Sequence, residues 1–386
     1  MHGSAASKPA VVWPVPVPVR NHGIDLLRGL AILCVILNHL GLRIPLAATA
    51  LARVLPSRFL RTLNYNGYEA VFVFFVISGF LIARHALQRW GRLATIDLRA
   101  FYLRRASRIL PCLLALVAVL SLLHALRVQD YLIHRPGQSL SGAVLAALGL
   151  HLNVYEGRTG YLPGSWDVLW SLSIEETFYL GFPLLCLAVR RTALLWPLLL
   201  VLALSLPWTR AAATGNEIWQ EKAYLPGMAA IAMGVLGALL CERWRPSPCL
   251  ARVLAALGAA GLAASTLLGY LLWPVLHDGT VLLLTASMMT LLLALATHPS
   301  PPLRGLRWLE SWGRLSYEIY LTHMFVVYAA VRLFHACGAD LRAGWLWYPP
   351  VFLLAWALGA LVARLFSQPC EAWMRRRWLP QRGAPA

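Results

Sequence analysis

Long apolar runs recur along the whole sequence, and the short segments between them hold most of the charged residues. A run of about 20 apolar residues is long enough for an α-helix to cross a membrane. Because backbone polar groups must be hydrogen-bonded within a bilayer, each run predicts a helix. The pattern predicts ten membrane-spanning helices near residues 24–42, 68–86, 109–126, 169–189, 192–208, 225–241, 251–273, 279–297, 314–334 and 346–366. We therefore expect an all-α, polytopic integral membrane protein.

An eleventh apolar segment, 139–155, is shorter, and the distribution of arginines decides how we interpret it. Segment 84–108 carries seven arginines and one aspartate, and the C-terminus is also basic. Because basic loops favour the cytoplasmic side, both should lie inside. Membrane crossings counted forward from segment 84–108 and backward from the C-terminus give the same topology only if 139–155 does not cross the membrane. We expect this segment to be a re-entrant or interfacial helix, with both termini cytoplasmic.

The composition supports a membrane protein and excludes some other classes. Of 386 residues, 59% are hydrophobic and 13% are charged, about half the charged share of a soluble domain. The net charge of +18 does not indicate nucleic-acid binding, because the arginines lie between apolar runs. The seven cysteines lack metal-ligand spacing, so we expect no metal. We divide the chain into a disordered cytoplasmic tail (1–21), a transmembrane domain (22–371) and a basic cytoplasmic tail (372–386).

Two ionisable residues share one face of the first predicted span. Arg28 and His39 are eleven positions apart, which is about three helical turns, or roughly 16 Å along the axis. Ionisable groups within a membrane are costly and usually line a polar cavity. Such a cavity suits a transporter, or an enzyme that takes a donor from one side and modifies an acceptor on the other.

Polar residues in the next two spans are candidates for the same cavity. Ser78 and Gly79 lie in the second span, where the glycine allows close approach of another helix or of a ligand. Arg105 and Arg108 precede the third predicted span and share a helix face. Guanidinium groups suit phosphate oxygens, although a basic topology anchor is the alternative.

The later spans add carboxyl, aromatic and imidazole groups. Glu175 and Tyr179 are four residues apart, so they share a face at the predicted outer end of the fourth span. The adjacent Glu176 points elsewhere and is free to face solvent. Trp170 is either an interfacial belt residue or a stacking surface for a sugar ring. His323 lies in the ninth span with Ser316 and Tyr317 among the neighbouring polar residues, and we expect it to line the cavity.

Together these stretches resemble the membrane-bound acyltransferase-3 family, bacterial integral membrane proteins that transfer acyl groups to carbohydrates and other hydroxyl acceptors. The resemblance covers residues 22–371 and follows the order of the family's motifs. It rests on the arginine and histidine of the first span, the Arg-x-x-Arg leading into ILP, and the stretches IDLLRGLAI, FFVISGFLI, WSLSIEETFYL and LSYEIYLTH. The expected form lacks the C-terminal hydrolase-like domain that members often carry. The family's late Glu-Pro is here Gln368-Pro369, which weakens any role for this position.

The resemblance implies a donor and a catalytic base. Cytoplasmic acyl-CoA, most often acetyl-CoA, would meet Arg105 and Arg108 through its phosphates, and Ser78 is assigned to the same donor site. Arg28 would shape the donor channel or pair with Asp25. His39 would act as general base, because a neutral imidazole suits deprotonation of a hydroxyl near neutral pH.

The remaining roles follow from that assignment. Glu175 would orient the His39 ring, and Trp170, Tyr179 and His323 would contact the acceptor. We favour direct transfer over an acyl-enzyme on Ser78 or Ser316, because neither serine lies in a nucleophile elbow.

The acceptor and the setting are less constrained. We expect a carbohydrate such as exopolysaccharide, lipopolysaccharide or a lipid-linked precursor, with a macrolide or other small-molecule hydroxyl as the alternative. Glycan-assembly proteins would be partners, and the bacterial inner membrane would be the location. From another class, a transporter or flippase remains open, although the internal repeats typical of transporters are not detectable.

Overall fold

The computed structural model describes residues 20–213, 215–299, 301 and 304–379, which fold into helices without a strand. The predicted N-terminal tail lies almost entirely outside the described residues. The α-helices are α1 (His22–Gly41), α2 (Ser57–Tyr65), α3 (Gly67–Trp90), α4 (Leu98–Ala125), α5 (Leu140–Leu148), α6 (Leu152–Thr159), α7 (Gly164–Asp167), α8 (Trp170–Val189), α9 (Thr192–Leu204), α10 (Leu206–Ala211), α11 (Glu217–Lys222), α12 (Tyr224–Arg243), α13 (Pro248–Leu267), α14 (Gly269–Leu276), α15 (Gly279–Thr297), α16 (Arg307–Arg314), α17 (Ser316–Ala336), α18 (Tyr348–Val362) and α19 (Gln368–Trp378).

Short helical turns connect several of these helices. The 3₁₀ turns are Leu46–Ala48, Ala50–Arg53, Leu93–Thr95, Gln129–Tyr131, Arg304–Leu306 and Leu341–Trp347, and a π-helical turn, Ala363–Ser367, joins α18 to α19. The predicted basic tail therefore begins as a helix. Its α19 packs along α4, where the Arg375 Nε donates to the Ser107 Oγ over 3.3 Å.

The prediction of an all-α, polytopic membrane protein is confirmed. In the described part of the chain, nine helical stretches are long and apolar enough to cross a membrane. They correspond to nine of the ten predicted spans. The remaining predicted span, the fifth in chain order at 192–208, is divided into the 13-residue α9 and the short α10. Helix α9 by itself is shorter than a typical membrane span.

The segment predicted as one re-entrant or interfacial helix, 139–155, is instead two short helices. The chain breaks between α5 and α6, where Leu150 has a φ of 58°. The second helix is held by Lys222, whose ammonium is 3.0 Å from Glu156 and also contacts Asp167. Burial and the Asp167 carboxylate raise the pKa of Glu156 well above its usual range, so two acids share one lysine.

The third predicted span begins earlier than the hydrophobic pattern indicates. Helix α4 starts at Leu98, after Asp97 caps it by accepting from the Ala100 N–H at 3.0 Å. The apolar run predicted at 109–126 is thus the later part of a longer helix, because arginine is a good helix former and the helix continues back through Arg108 and Arg105. Pro111 is thus inside the helix rather than in its first turn.

Two glycines allow the central helices α3 and α12 to touch. A Cβ at Gly79 would collide with the Ile231 carbonyl oxygen, and a Cβ at Gly234 would collide with that of Val76. These glycines face each other's helices, so the predicted close approach at Gly79 is a helix–helix contact. The adjacent Ser78 is left on the side of a cavity.

Candidate active site

A cavity of about 290 Å³ lies between α1, α3, α4, α8 and α17. It brings together six of the nine residues that the sequence assigned to the site: Arg28, Ser78, Arg105, Arg108, Glu175 and Tyr179. These residues come from four different helices. Their side chains meet because each helix turns its few polar positions away from lipid and towards its neighbours.

A hydrogen-bonded network at α8 occupies one wall of this cavity. The Glu175 carboxylate accepts from the Ser78 hydroxyl at 2.6 Å and from the Tyr179 hydroxyl. The Arg105 guanidinium lies 3.8 Å from the centre of the Tyr179 ring. It is also 3.9 Å from a carboxylate oxygen of Glu175 and of Glu176. Glu176, expected to be free to face solvent, lines the cavity instead.

Arg108 already has carboxylate partners. Its guanidinium is 2.9 Å from the buried Glu318 and 3.5 Å from Glu371. Ser367 adds a 2.7 Å hydrogen bond to Glu318. Glu318 entered the sequence-based predictions only as part of the stretch LSYEIYLTH, without an arginine partner, and Glu371 did not enter them. The family's Glu-Pro is Gln368-Pro369 in this chain, and Glu371 lies two residues after Pro369. Helix α19 therefore still contributes a carboxylate to this site, but from a different position.

Arg28 differs because its hydrogen-bond partner is neutral. Its Nη2 donates to the Ser316 hydroxyl at 2.9 Å. Asp25, which the sequence offered as a partner, is bonded to Arg20 at 2.6 Å. Arg28 is therefore directed into the cavity and presents a guanidinium that a bound anion can reach.

His39 and His323 form a separate pair outside this cavity. Their ring centres are 5.1 Å apart, and His323 is fully buried. The His323 Nδ1 lies 2.8 Å from the Tyr320 carbonyl oxygen. Since a carbonyl only accepts, Nδ1 carries the proton. The His323 Nε2 is then an acceptor, and it has no hydrogen-bond partner among the described residues.

Tyr320 borders both the cavity and His323 of the histidine pair. Its side chain lines the cavity, and its ring centre is 6.0 Å from that of His323. Its hydroxyl donates to the Val168 carbonyl at 2.9 Å and accepts from the Ser171 hydroxyl at 2.7 Å. One aromatic ring, held by two hydrogen bonds, thus lines the arginine-containing cavity and also lies beside the His323 imidazole.

A comparison with known families shows which protein family this chain belongs to. A family model described as an acyltransferase domain matches residues 21–364. The chain belongs to the acyltransferase-3 family. No solved structure matches it.

Curated relatives of this acyltransferase-3 chain are O-acetyltransferases by name. The peptidoglycan O-acetyltransferase OatA of Listeria monocytogenes is 27% identical over 334 residues, which cover 79% of the chain and 49% of the relative. The O-acetyltransferase OatA of Staphylococcus aureus strain NCTC 8325 is 25% identical, with 79% and 50% covered. The putative O-acetyltransferase SACOL0978 of S. aureus strain COL is also 25% identical, with 82% and 52% covered. The chain spans about half the length of the curated relatives it matches.

Two assignments made from the sequence do not hold in this acyltransferase-3 fold. Glu175 does not contact the His39 ring, because it is bonded to Ser78 and Tyr179 beside Arg105. Trp170 is only 7% exposed and meets Phe75 edge-on at 6.0 Å. It therefore lies in the packed interior and is neither a belt residue nor an open stacking surface.

Proposed function

We propose that this chain is a membrane O-acetyltransferase that moves an acetyl group from cytoplasmic acetyl-CoA to a hydroxyl of a carbohydrate. One observation carries the proposal: Tyr320 lines the arginine-lined cavity, its ring centre is 6.0 Å from that of His323, and the His323 ring centre is 5.1 Å from that of His39. A donor site and a candidate base are thus neighbours along one path. Family membership favours this enzyme over the transporter alternative.

The donor site is assigned to the cavity. At about 290 Å³ it is at the small end of ligand pockets, so it suits the pantetheine arm and acetyl group rather than the whole coenzyme. Arg28 would attract the coenzyme phosphates most strongly, because its hydrogen-bond partner is the neutral Ser316. Arg105 would assist, since its contacts with Glu175 and Glu176 are 3.9 Å long and offset its charge only in part. Arg108 would contribute less to phosphate binding, because Glu318 and Glu371 already offset its charge.

The chemistry is assigned to His39. The acceptor hydroxyl oxygen attacks the thioester carbonyl carbon while a neutral His39 removes the hydroxyl proton. The C–S bond then breaks, and the coenzyme thiolate leaves and takes up a proton. General base catalysis of this kind contributes roughly 10²- to 10⁴-fold. We assign His323 to orienting His39, because its unpartnered Nε2 can accept a hydrogen bond from the neighbouring ring.

The Tyr320 ring has to move during transfer. In the observed position it lines the cavity beside His323, and its hydroxyl is bonded to Ser171 and Val168. Breaking two neutral hydrogen bonds costs about 1–3 kcal/mol in total, which binding of the donor can offset. We propose that the thioester displaces this ring and so reaches the imidazole only when the donor is bound.

The acceptor and setting complete the proposal. One of the relatives is named a peptidoglycan O-acetyltransferase, which supports a carbohydrate acceptor. We place the chain in the bacterial inner membrane with both termini cytoplasmic, so that Arg28 lies near the inner side and His39 near the outer. Glycan-assembly proteins would present the acceptor.

The proposal is tested by following the acetyl group. Membranes containing the full chain are incubated with acetyl-CoA labelled in the acetyl group, and surface glycans and small molecules are then separated. We expect label in an O-acetyl ester on glycan that mild alkali releases. Label confined to small molecules, or absent although labelled acetyl-CoA binds, would contradict the proposal.

A further inference from the structure

A second cavity, of about 340 Å³, lies beyond His39 at the end of α1 opposite to Arg28. Arg43 contacts both His39 and this cavity. Its Nη1 donates to the His39 carbonyl oxygen at 2.7 Å, and its guanidinium lies 4.9 Å from the centre of the Tyr328 ring. Both Arg43 and Tyr328 line this cavity, which we call the basic cavity.

The basic cavity holds positive charge that the surrounding residues do not offset. Arg43 and Arg135 both line it, and neither has a carboxylate partner among the residues that the structure describes. Its one carboxylate, Asp130, is already bonded to Arg332. A partly buried guanidinium without a counter-charge favours binding of an anion, and its planar donors match the oxygens of carboxylate and phosphate groups.

The loops around these arginines are fixed in position. The Gln138 side-chain amide donates to the Gly160 carbonyl at 2.7 Å and joins the two loops. Gly160 has a φ of 92°, and a Cβ there would lie 2.9 Å from the Arg135 Nη1. The backbone conformation favours glycine at this position, and the Arg135 guanidinium lies close against it. On the opposite wall, the Gly164 N–H donates to the Tyr328 hydroxyl at 2.8 Å.

We propose that the basic cavity binds an anionic group of the acceptor, either a carboxylate or a phosphate. Anchoring that group at Arg43 and Arg135 would hold a hydroxyl of the same molecule close to His39. The inference rests on the proposed function, since it assumes that the acceptor approaches His39 from this side. It narrows the acceptor from carbohydrates in general to those that carry a negative charge.

The test compares charged and neutral sugars of the same size. Maltose, maltose carrying one phosphate, and a disaccharide with glucuronate in place of one glucose are titrated against the full chain in nanodiscs of uncharged lipid. Binding is followed by ligand-detected NMR at constant ionic strength. We expect at least one charged sugar to bind about tenfold more tightly than maltose, and the preferred one identifies the group.

Three variants show where the preference arises. Arg43→Gln and Arg135→Gln should each remove most of the preference for charged sugars. Arg53→Gln is the control, because it changes an exposed arginine in the same loop region as Arg43, and it should leave this preference unchanged. Arg135 is itself exposed, so its variant tests the idea even if Arg43→Gln does not fold. Equal binding of the three sugars, no binding of any, or a preference that survives both substitutions would overturn the inference.

Acetyl-CoA binding is measured on the same samples by equilibrium dialysis. Failure of the wild-type chain to bind acetyl-CoA would contradict the proposed function, whatever the sugars do. Normal acetyl-CoA binding without a preference for charged sugars would overturn only the anion site. The two failures are therefore distinguishable.

Discussion

Individual arginines in the cavity proposed to bind the donor differ in what offsets their charge. Arg108 is 2.9 Å from the carboxylate of Glu318, which is 1% exposed. Arg28 has the neutral Ser316 as its hydrogen-bond partner. Removing one member of a buried ion pair leaves the other charge uncompensated, which is strongly destabilising. The two arginines should therefore respond differently to the same substitution.

Arg108→Gln should reduce stability, whereas Arg28→Gln should reduce use of the donor. We expect Arg108→Gln to lower the free energy of unfolding by about 3 kcal/mol, and Arg28→Gln to raise the KM for acetyl-CoA about tenfold with a smaller loss of stability. Thermal melts in detergent and donor-dependence of transfer check both. The double variant Arg108→Gln/Glu318→Gln should recover part of the lost stability, and no recovery would contradict the pairing.

The sequence predicted which residues are polar and buried better than it predicted which of them touch. Glu175 and Tyr179 share a face because they are four residues apart, and that pair is observed. The partner of Glu175 depends instead on how far along its helix Glu175 lies relative to residues of the neighbouring helices. The spanning stretch begins at Gly164, so Glu175 is about 16 Å along it, level with Arg105 and Ser78 rather than with His39. Sequence spacing within one helix does not fix the depth of that helix against another.

At the scale of helices, the contact between α3 and α12 sets the position of one cavity wall. Gly79 and Gly234 let the two backbones approach, and Ser78 is thereby held at 2.6 Å from Glu175. The sequence predicted the helices themselves from length and apolar content. It did not give the start of α4 at Leu98, because the arginines in the first turns of this helix interrupt the apolar pattern.

Gly79→Ala should disturb this contact. The new Cβ would collide with the Ile231 backbone, which cannot rotate away as a side chain can. We expect a loss of about 1–3 kcal/mol and reduced transfer activity. Gly181→Ala on α8 is the matched control, since a Cβ there meets nothing within 4 Å and alanine favours a helix by about 1 kcal/mol. Equal melting temperatures for the two variants would contradict the close contact.

For the whole molecule, the proposed topology makes a prediction about two native cysteines. Cys249 and Cys337 are both free and exposed. The proposed layout has ten crossings, one of them made by α9 and α10 together, and both termini inside. In this layout Cys249 before α13 is cytoplasmic and Cys337 after α17 is outside. A membrane-impermeant maleimide should label Cys337 in intact cells and Cys249 only after permeabilisation, with the sites read by mass spectrometry. The reverse order of labelling would show that the layout is inverted.

The central claim is that His39 removes the acceptor proton after the donor has entered the arginine-lined cavity and displaced the Tyr320 ring. The most direct measurement is single-turnover acetyl transfer by the wild-type chain and by His39→Gln, with acetyl-CoA binding determined on the same samples. We predict that His39→Gln binds acetyl-CoA about as well as wild type but transfers it roughly 10²- to 10⁴-fold more slowly. Transfer at a near-wild-type rate by a folded His39→Gln variant would contradict the claim.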